Sequence, residues 1–247
     1  MAILRLGFFG KSIQKQTNMT VILPDDAKAE GPYPVLYLLH GLSDDDTIWA
    51  RRTSLERYVA GMPLIVVMPD SGRGYYTDAK RGPAYESHIM KDVIGFVDRF
   101  LPTIKDRRGR VIGGLSMGGY GSMKLALKYP DRICSVVSHS SVFDIARSLA
   151  NPQRSDELSL IFGDVPAEGG NDVLRLAAEV DRKLLPAIRF DCGTEDPLLE
   201  HNRAFHQHLD KLGIKHEYEE FPGAHDWGYW DTHIREALKF HASALGI

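Results

Sequence analysis

Short, continuous apolar runs separated by longer stretches of mixed character set the pattern of this chain. Such runs occupy Val35–Leu39, Leu64–Met68, Arg110–Gly114, Ser135–Ser138, Ala187–Asp191 and His216–Phe221. Runs of this kind, with little polar alternation, predict strands buried on both faces. The first 23 residues predict a pair of antiparallel strands. Between the runs lie helical patterns. Ala84–Phe100 carries Ile89, Val93, Phe96, Val97 and Phe100 close to one helical stripe. Ser116–Lys128 reads as a helix ended before Pro130, and Leu198–Leu212 as one stopped by Gly213. A last helix falls within Ala224–Leu245. This alternation predicts a mostly parallel sheet with helices on both faces, whose ligand site lies beyond the carboxyl ends of the strands. Val142–Leu185 is less regular and is expected to form short helices as a small cap over that site. No repeat or long linker interrupts the chain, so residues 1–247 are expected to form one domain.

Composition narrows the function classes. The 247 residues carry a net charge of −3, with 43% hydrophobic and 26% charged residues. No basic block points to a nucleic-acid partner. The short run Lys105–Arg110 is read as a solvated loop before a strand. The start, MAILRLGFFGKSIQKQ, lacks the charged-then-apolar order of a secretory signal, and no run approaches a membrane span. A cytoplasmic protein is therefore expected, with Cys134 and Cys192 both free.

The chemistry sits just after the strand ends. Gly114-Leu115-Ser116-Met117-Gly118 matches G-x-S-x-G, a sharp strand-to-helix turn that lifts a serine hydroxyl clear of a sheet. Small residues are required two before and two after the serine, because strand and helix pass close together. Ser116 is thus a candidate nucleophile of an α/β-hydrolase fold. A base and an orienting acid must follow it in the order acid, then His. His225, between the last strand run and the last helix, fits the base. Asp196, beyond the turn at Gly193, is the candidate acid. Glu195 is its alternative, and Asp191, still inside the strand, reads as structural. Asp196 could instead cap the following helix. The tetrahedral intermediate needs two backbone N–H donors, expected at Met117 and at Leu42 in the loop after Val35–Leu39. His40 reads as a brace for that loop. His201, His206 and His208 are expected to face solvent. No recognisable spacing makes them metal ligands, and no metal site is expected.

Taken together, YLLHGLSDDDTIW, LIVVMPDSGRGYYTD, IGGLSMGGYGSMKLAL, CGTEDPLL and GAHDWGYW resemble the tributyrin esterases. These belong to the esterase D group of α/β hydrolases, which includes S-formylglutathione hydrolases. The resemblance runs from about Leu4 to Trp230 and is weakest over Val142–Leu185. It implies hydrolysis of short-chain acyl esters without a cofactor. It also implies the triad Ser116, Asp196 and His225, with Leu42 and Met117 as oxyanion donors. Tyr76 is carried over from a loop near the site in such enzymes as a pocket residue. Trp227 is expected at the pocket, and Trp230 is expected to pack. His139 departs from the family pattern: it stands at a strand end beside the elbow, where it would narrow or polarise the acyl pocket.

The same triad would serve a thioesterase, or a deacylase of carbohydrate-linked or phenolic esters. A non-catalytic binding protein is disfavoured, because no triad member is missing. Sheets of this type often associate, which leaves a homo-oligomer open, but no interface signature is visible.

Overall fold

Eight strands form one sheet in the order β1-β2-β4-β3-β5-β6-β7-β8 in the computed structural model. The structure describes residues 1–25, 30–164 and 170–247. In chain order the strands are β1 Ala2–Gly10, β2 Lys15–Leu23, β3 Val35–Leu39, β4 Ile65–Pro69, β5 Arg110–Leu115, β6 Ser135–His139, β7 Ala187–Gly193 and β8 Glu217–Phe221. β1 and β2 pair antiparallel, β2 meets β4 antiparallel, and all pairs from β4 through β3 and β5 to β8 are parallel. This is the α/β-hydrolase arrangement.

Every residue of β3, β4, β5 and β6 is buried. Helices cover both faces, as continuous apolar strands require. One face carries α1 Ile48–Arg52, α2 Leu55–Tyr58 and α10 Trp227–Leu245. The other carries α3 Tyr85–Ser87 and α4 Ile94–Phe100, joined by a π-turn over His88–Val93, then α5 Met117–Lys128. Also on that side are α6 Ile145–Leu149, α7 Ser155–Phe162, α8 Val173–Glu179 and α9 Leu199–Lys211. Each fully buried Val, Leu or Ile contributes about 1.5–3 kcal/mol relative to exposure. Among the described residues no helix is long and apolar enough to cross a membrane.

Several expectations are corrected. β8 is not a doubly buried strand but a half-exposed edge. Arg110 is not solvated: it lies in β5, buried, with Nη2 2.6 Å from Asp98 Oδ2. The loop reading holds only for the residues before it, where Asp106 and Arg108 pair in solvent. His201 is buried against the start of α6, where Asp144 N–H donates to its Nδ1 at 3.3 Å. The irregular segment does form short helices, although part of it, 165–169, lies outside the described residues. Its α8 packs on α5 rather than over the strand ends. The two cysteines are free, Cys192 buried and Cys134 partly so.

Candidate active site

The turn between β5 and α5 forces the backbone into a rare conformation. Ser116 takes φ 53° and ψ −116°, a region that costs a non-glycine residue roughly 1–3 kcal/mol. Its amide donates to His139 O at 2.8 Å, and its carbonyl accepts from Tyr120 N–H at 3.0 Å, so the turn is pinned on both sides. The close passage of strand and helix explains the flanking glycines. A Cβ on Gly118 would stand 2.5 Å from the carbonyl oxygens of both Leu39 and His40. Leu39 is fixed in β3 and His40 O is held by Tyr76 OH, so neither can retreat freely. Gly118→Ala is therefore expected to destabilise the protein by about 3–4 kcal/mol, read as a fall in the urea midpoint.

The other two candidates arrive on loops that are stitched together. Thr194 N–H donates to Phe221 O at 2.8 Å, and Glu195 N–H to Gly223 O at 2.9 Å. Gly193 permits this: a Cβ there would meet Gly223 O at 2.3 Å. The loops after β7 and β8 thus hold a fixed separation. His225 Nδ1 lies 2.8 Å from Asp196 Oδ2, and His225 Nε2 lies 3.1 Å from Ser116 Oγ. Asp196, which holds the imidazole, is buried, whereas Glu195 is exposed. Asp196 Oδ1 also accepts from Leu198 N–H at 2.8 Å, so the same side chain orients His225 and ties down the approach to α9. Burial pushes its carboxyl pKa up, but the hydrogen bonds from His225 and Leu198 outweigh burial and hold it below the usual carboxylate range. Asp191 is structural, in β7, bonded to His139 and Tyr229.

Leu42 and Met117 flank the serine, and their N–H groups have no acceptor among the described residues. The loop carrying Leu42 is braced from three sides. Ser71 N–H donates to His40 Nε2 at 3.0 Å, so the proton of the neutral ring sits on Nδ1, which donates to Gly41 O at 2.7 Å. A trans peptide then sends the Leu42 N–H the opposite way. Tyr76 OH donates to His40 O at 2.9 Å, and Trp49 Nε1 to Leu39 O at 3.1 Å. Ser43, Tyr75, Tyr76 and Ser140 share positive φ with Ser116. Apart from Gln14 in the β1–β2 turn, the described non-glycine residues at positive φ thus fall on the segments that follow β3, β4, β5 and β6.

A cleft of about 470 Å³ opens over Ser116 and His225, lined by Gly41–Asp44, Leu115, Arg154, Asp226, Trp227 and Trp230. Two pocket expectations fail here. Tyr76 is fully buried and supports the loop carrying Leu42 through His40 O instead of facing the cleft. His139 is buried too, its Nδ1 held by the Asp191 carboxylate at 2.9 Å, so it neither narrows nor polarises the cleft. Trp227 does line the cleft. Trp230 both packs and lines it: its ring meets His225 edge-on at 5.0 Å, and its Nε1 donates to Ser140 Oγ at 3.2 Å. Sequence reasoning missed Asp44 and Arg154. Burial holds the Asp44 carboxyl above its usual range, and Arg154, just before α7, reaches Tyr75 OH at 3.2 Å. Among the described residues of the irregular segment, Arg154 is the one that lines the cleft.

Residues 10–241 match a family model described as "Putative esterase". The chain belongs to this esterase family. An acetyl esterase of Caldicellulosiruptor saccharolyticus is 28% identical to it, over 97% of this chain and 98% of that protein. The substrate-bound structure of FphF, a fluorophosphonate-binding serine hydrolase of Staphylococcus aureus, is 32% identical with a TM-score of 0.89, covering 97% of each chain. An S-formylglutathione hydrolase of the same organism is 31% identical with a TM-score of 0.84, covering 97% of this chain and 98% of that one. The esterase is a carboxylic ester hydrolase of the serine type, in the esterase D and S-formylglutathione hydrolase-like group.

Proposed function

We propose that residues 1–247 act as one domain that hydrolyses short-chain acyl esters, of the tributyrin and acetyl kind, through an acyl-enzyme on Ser116. His225 Nε2 takes the hydroxyl proton as Oγ bonds to the ester carbonyl carbon. The oxyanion is held by the Leu42 and Met117 N–H groups, each worth roughly 3–4 kcal/mol in such a site. The C–O bond to the alcohol breaks, and His225 returns the proton to the leaving oxygen. Water then attacks the acyl-enzyme by the same route and releases the acid. Asp196 keeps the imidazole oriented and stabilises its cationic form. No step requires a cofactor. The observation that carries this reading is the hydrogen-bonded line from Asp196 through His225 to Ser116 at the floor of the cleft.

The likeness to an acetyl esterase over nearly the whole of both chains supports the short acyl chain. The unbridged cysteines support a cytoplasmic setting. The test pairs labelling with a substrate panel. A fluorophosphonate probe is expected to modify Ser116, located by peptide mass spectrometry. Acetyl and butyryl p-nitrophenyl esters are expected to outrun an octanoyl ester by at least about tenfold in kcat/KM. Labelling elsewhere would remove Ser116 from the mechanism. A glutathione thioester or a feruloyl ester turned over tenfold faster than the acetyl ester would replace the short-chain reading.

A further inference from the structure

At the amino end of β8, away from the cleft at the carboxyl ends of the strands, α9 and the turn after it gather a second set of titratable side chains. His206 and Asp210 stand one helical turn apart on α9 and share a face. His216 joins them from the turn entering β8. His206 Nδ1 lies 2.7 Å from His216 Nε2. His206 Nε2 lies 3.4 Å from Asp210 Oδ2, and His216 Nε2 lies 4.0 Å from Asp210 Oδ1. One ligand atom from each residue falls within 4.8 Å of the others. A tetrahedral zinc ion bound at about 2.0–2.2 Å needs neighbouring ligand atoms roughly 3.3–3.5 Å apart. With His206 bound through Nδ1, its 2.7 Å distance to His216 Nε2 and the 4.0 Å from His216 Nε2 to Asp210 Oδ1 lie on either side of that value, and side-chain rotation would bring the three atoms around an ion.

The rings are held without help from any ion. His216 Nδ1 donates to Ile214 O at 2.8 Å, which leaves the Nε2 lone pair facing His206 and Asp210. A backbone carbonyl on the far nitrogen is the usual support of a metal-binding imidazole. The His216 side chain is only 4% exposed and stacks on Phe190 at 5.6 Å and 15°. His206 stacks on Tyr218 at 4.7 Å and 28°. Asp210, 60% exposed, is paired with these two imidazoles, while the nearby Arg203 is taken up by Glu200 and Glu220. The approach from solvent is open on the Asp210 side.

We infer that His206, Asp210 and His216 form a binding site for a divalent transition metal, Zn2+ in the first place, with water completing the coordination. Two imidazoles and one carboxylate suit zinc, nickel or copper, whereas magnesium and calcium call for oxygen donors throughout. The ion would join the last turn of α9 to the start of β8. α9 opens just after Asp196 and β8 ends just before His225, so the clamp steadies the unit that carries both loops without touching the reacting atoms.

The test uses the full-length esterase freed of metal with a chelator. Calorimetric titration with Zn2+ is expected to give one equivalent, and Co2+ to give visible d–d absorption. Zn2+ at a hundred times its Kd is expected to raise Tm by roughly 5–10 °C. His206→Ala and Asp210→Ala lie on the exposed side of α9 and are expected to leave metal-free esterase activity unchanged. They are expected to weaken Zn2+ binding at least about 100-fold and about 10-fold, respectively, and to abolish the Co2+ bands. His216→Gln keeps the buried position filled and is expected to behave like His206→Ala. The proposal is overturned if the wild-type protein takes up no Zn2+ below millimolar concentration. It is equally overturned if the variants bind one equivalent as tightly as wild type, since the ion would then sit on other histidines.

Discussion

Ser116→Ala is expected to lower kcat/KM for p-nitrophenyl acetate by about 10⁵–10⁶-fold while Tm shifts by no more than a degree or two. A loss of that size corresponds to about 7–8 kcal/mol of transition-state stabilisation. The backbone that defines the elbow does not depend on the hydroxyl. Its two pinning hydrogen bonds, to His139 O and from Tyr120 N–H, are made by the Ser116 main chain. Alanine carries a Cβ like serine, so it inherits the strain at φ 53° without adding to it. Only the reacting oxygen disappears. The residual rate would come from the oxyanion donors and from binding. More than about one hundredth of wild-type activity in contaminant-free protein would locate the nucleophile elsewhere.

Asp196→Asn is expected to cost about 10⁴-fold in kcat, because the amide would select the wrong imidazole tautomer. Leu198 N–H donates to Oδ1 of the buried Asp196, and a side-chain NH2 placed there would lose this bond and face the N–H as a second donor. The asparagine oxygen would therefore take the Oδ1 position and its NH2 the Oδ2 position, facing His225 Nδ1 at the present 2.8 Å contact. His225 would then present a lone pair at Nδ1 and carry its proton on Nε2, where it cannot accept from Ser116. In the native protein the carboxyl is held below its ordinary range, so it remains a carboxylate through the neutral and mildly acidic region. Steady-state kinetics with p-nitrophenyl acetate, alongside circular dichroism to check the fold, decides the matter. A fall in kcat of less than tenfold would reduce Asp196 to a structural anchor for the approach to α9.

The strands were legible because burial on both faces leaves largely apolar runs: β3 and β4 are unbroken, whereas β5 opens with Arg110 and β6 carries Ser135, Ser138 and His139, all buried. Ser116, Asp196 and His225, which the structure brings together, were legible because each follows such a run at a glycine-marked turn. What escaped has physical causes. α1 and α2, at five and four residues, are too short to display a period. The π-turn at His88–Val93 lies inside a stripe that looks uniformly helical. Tyr76 and His139 stand beside the site in the chain but point away from the cleft, and side-chain direction after a strand end is set by tertiary hydrogen bonds. Arg154 reaches the cleft from the least regular part of the sequence. The His206, Asp210 and His216 cluster went unseen because its third member comes from a different element, brought in by the turn between α9 and β8.

The outermost strand has a consequence for self-association. β8 presents Glu217 and Glu219 on one side and Glu220 on the other, with Arg189 of β7 engaging the first two and Arg203 the third. If two copies of the molecule tried to extend the sheet by joining these borders about a two-fold axis, rows of glutamates would be set against their own counterparts, with the compensating guanidiniums of Arg189 and Arg203 already engaged on their own molecule. Like charges facing across paired strands repel. Pairing of two copies through the β8 border is thus disfavoured, and the sheet stops there.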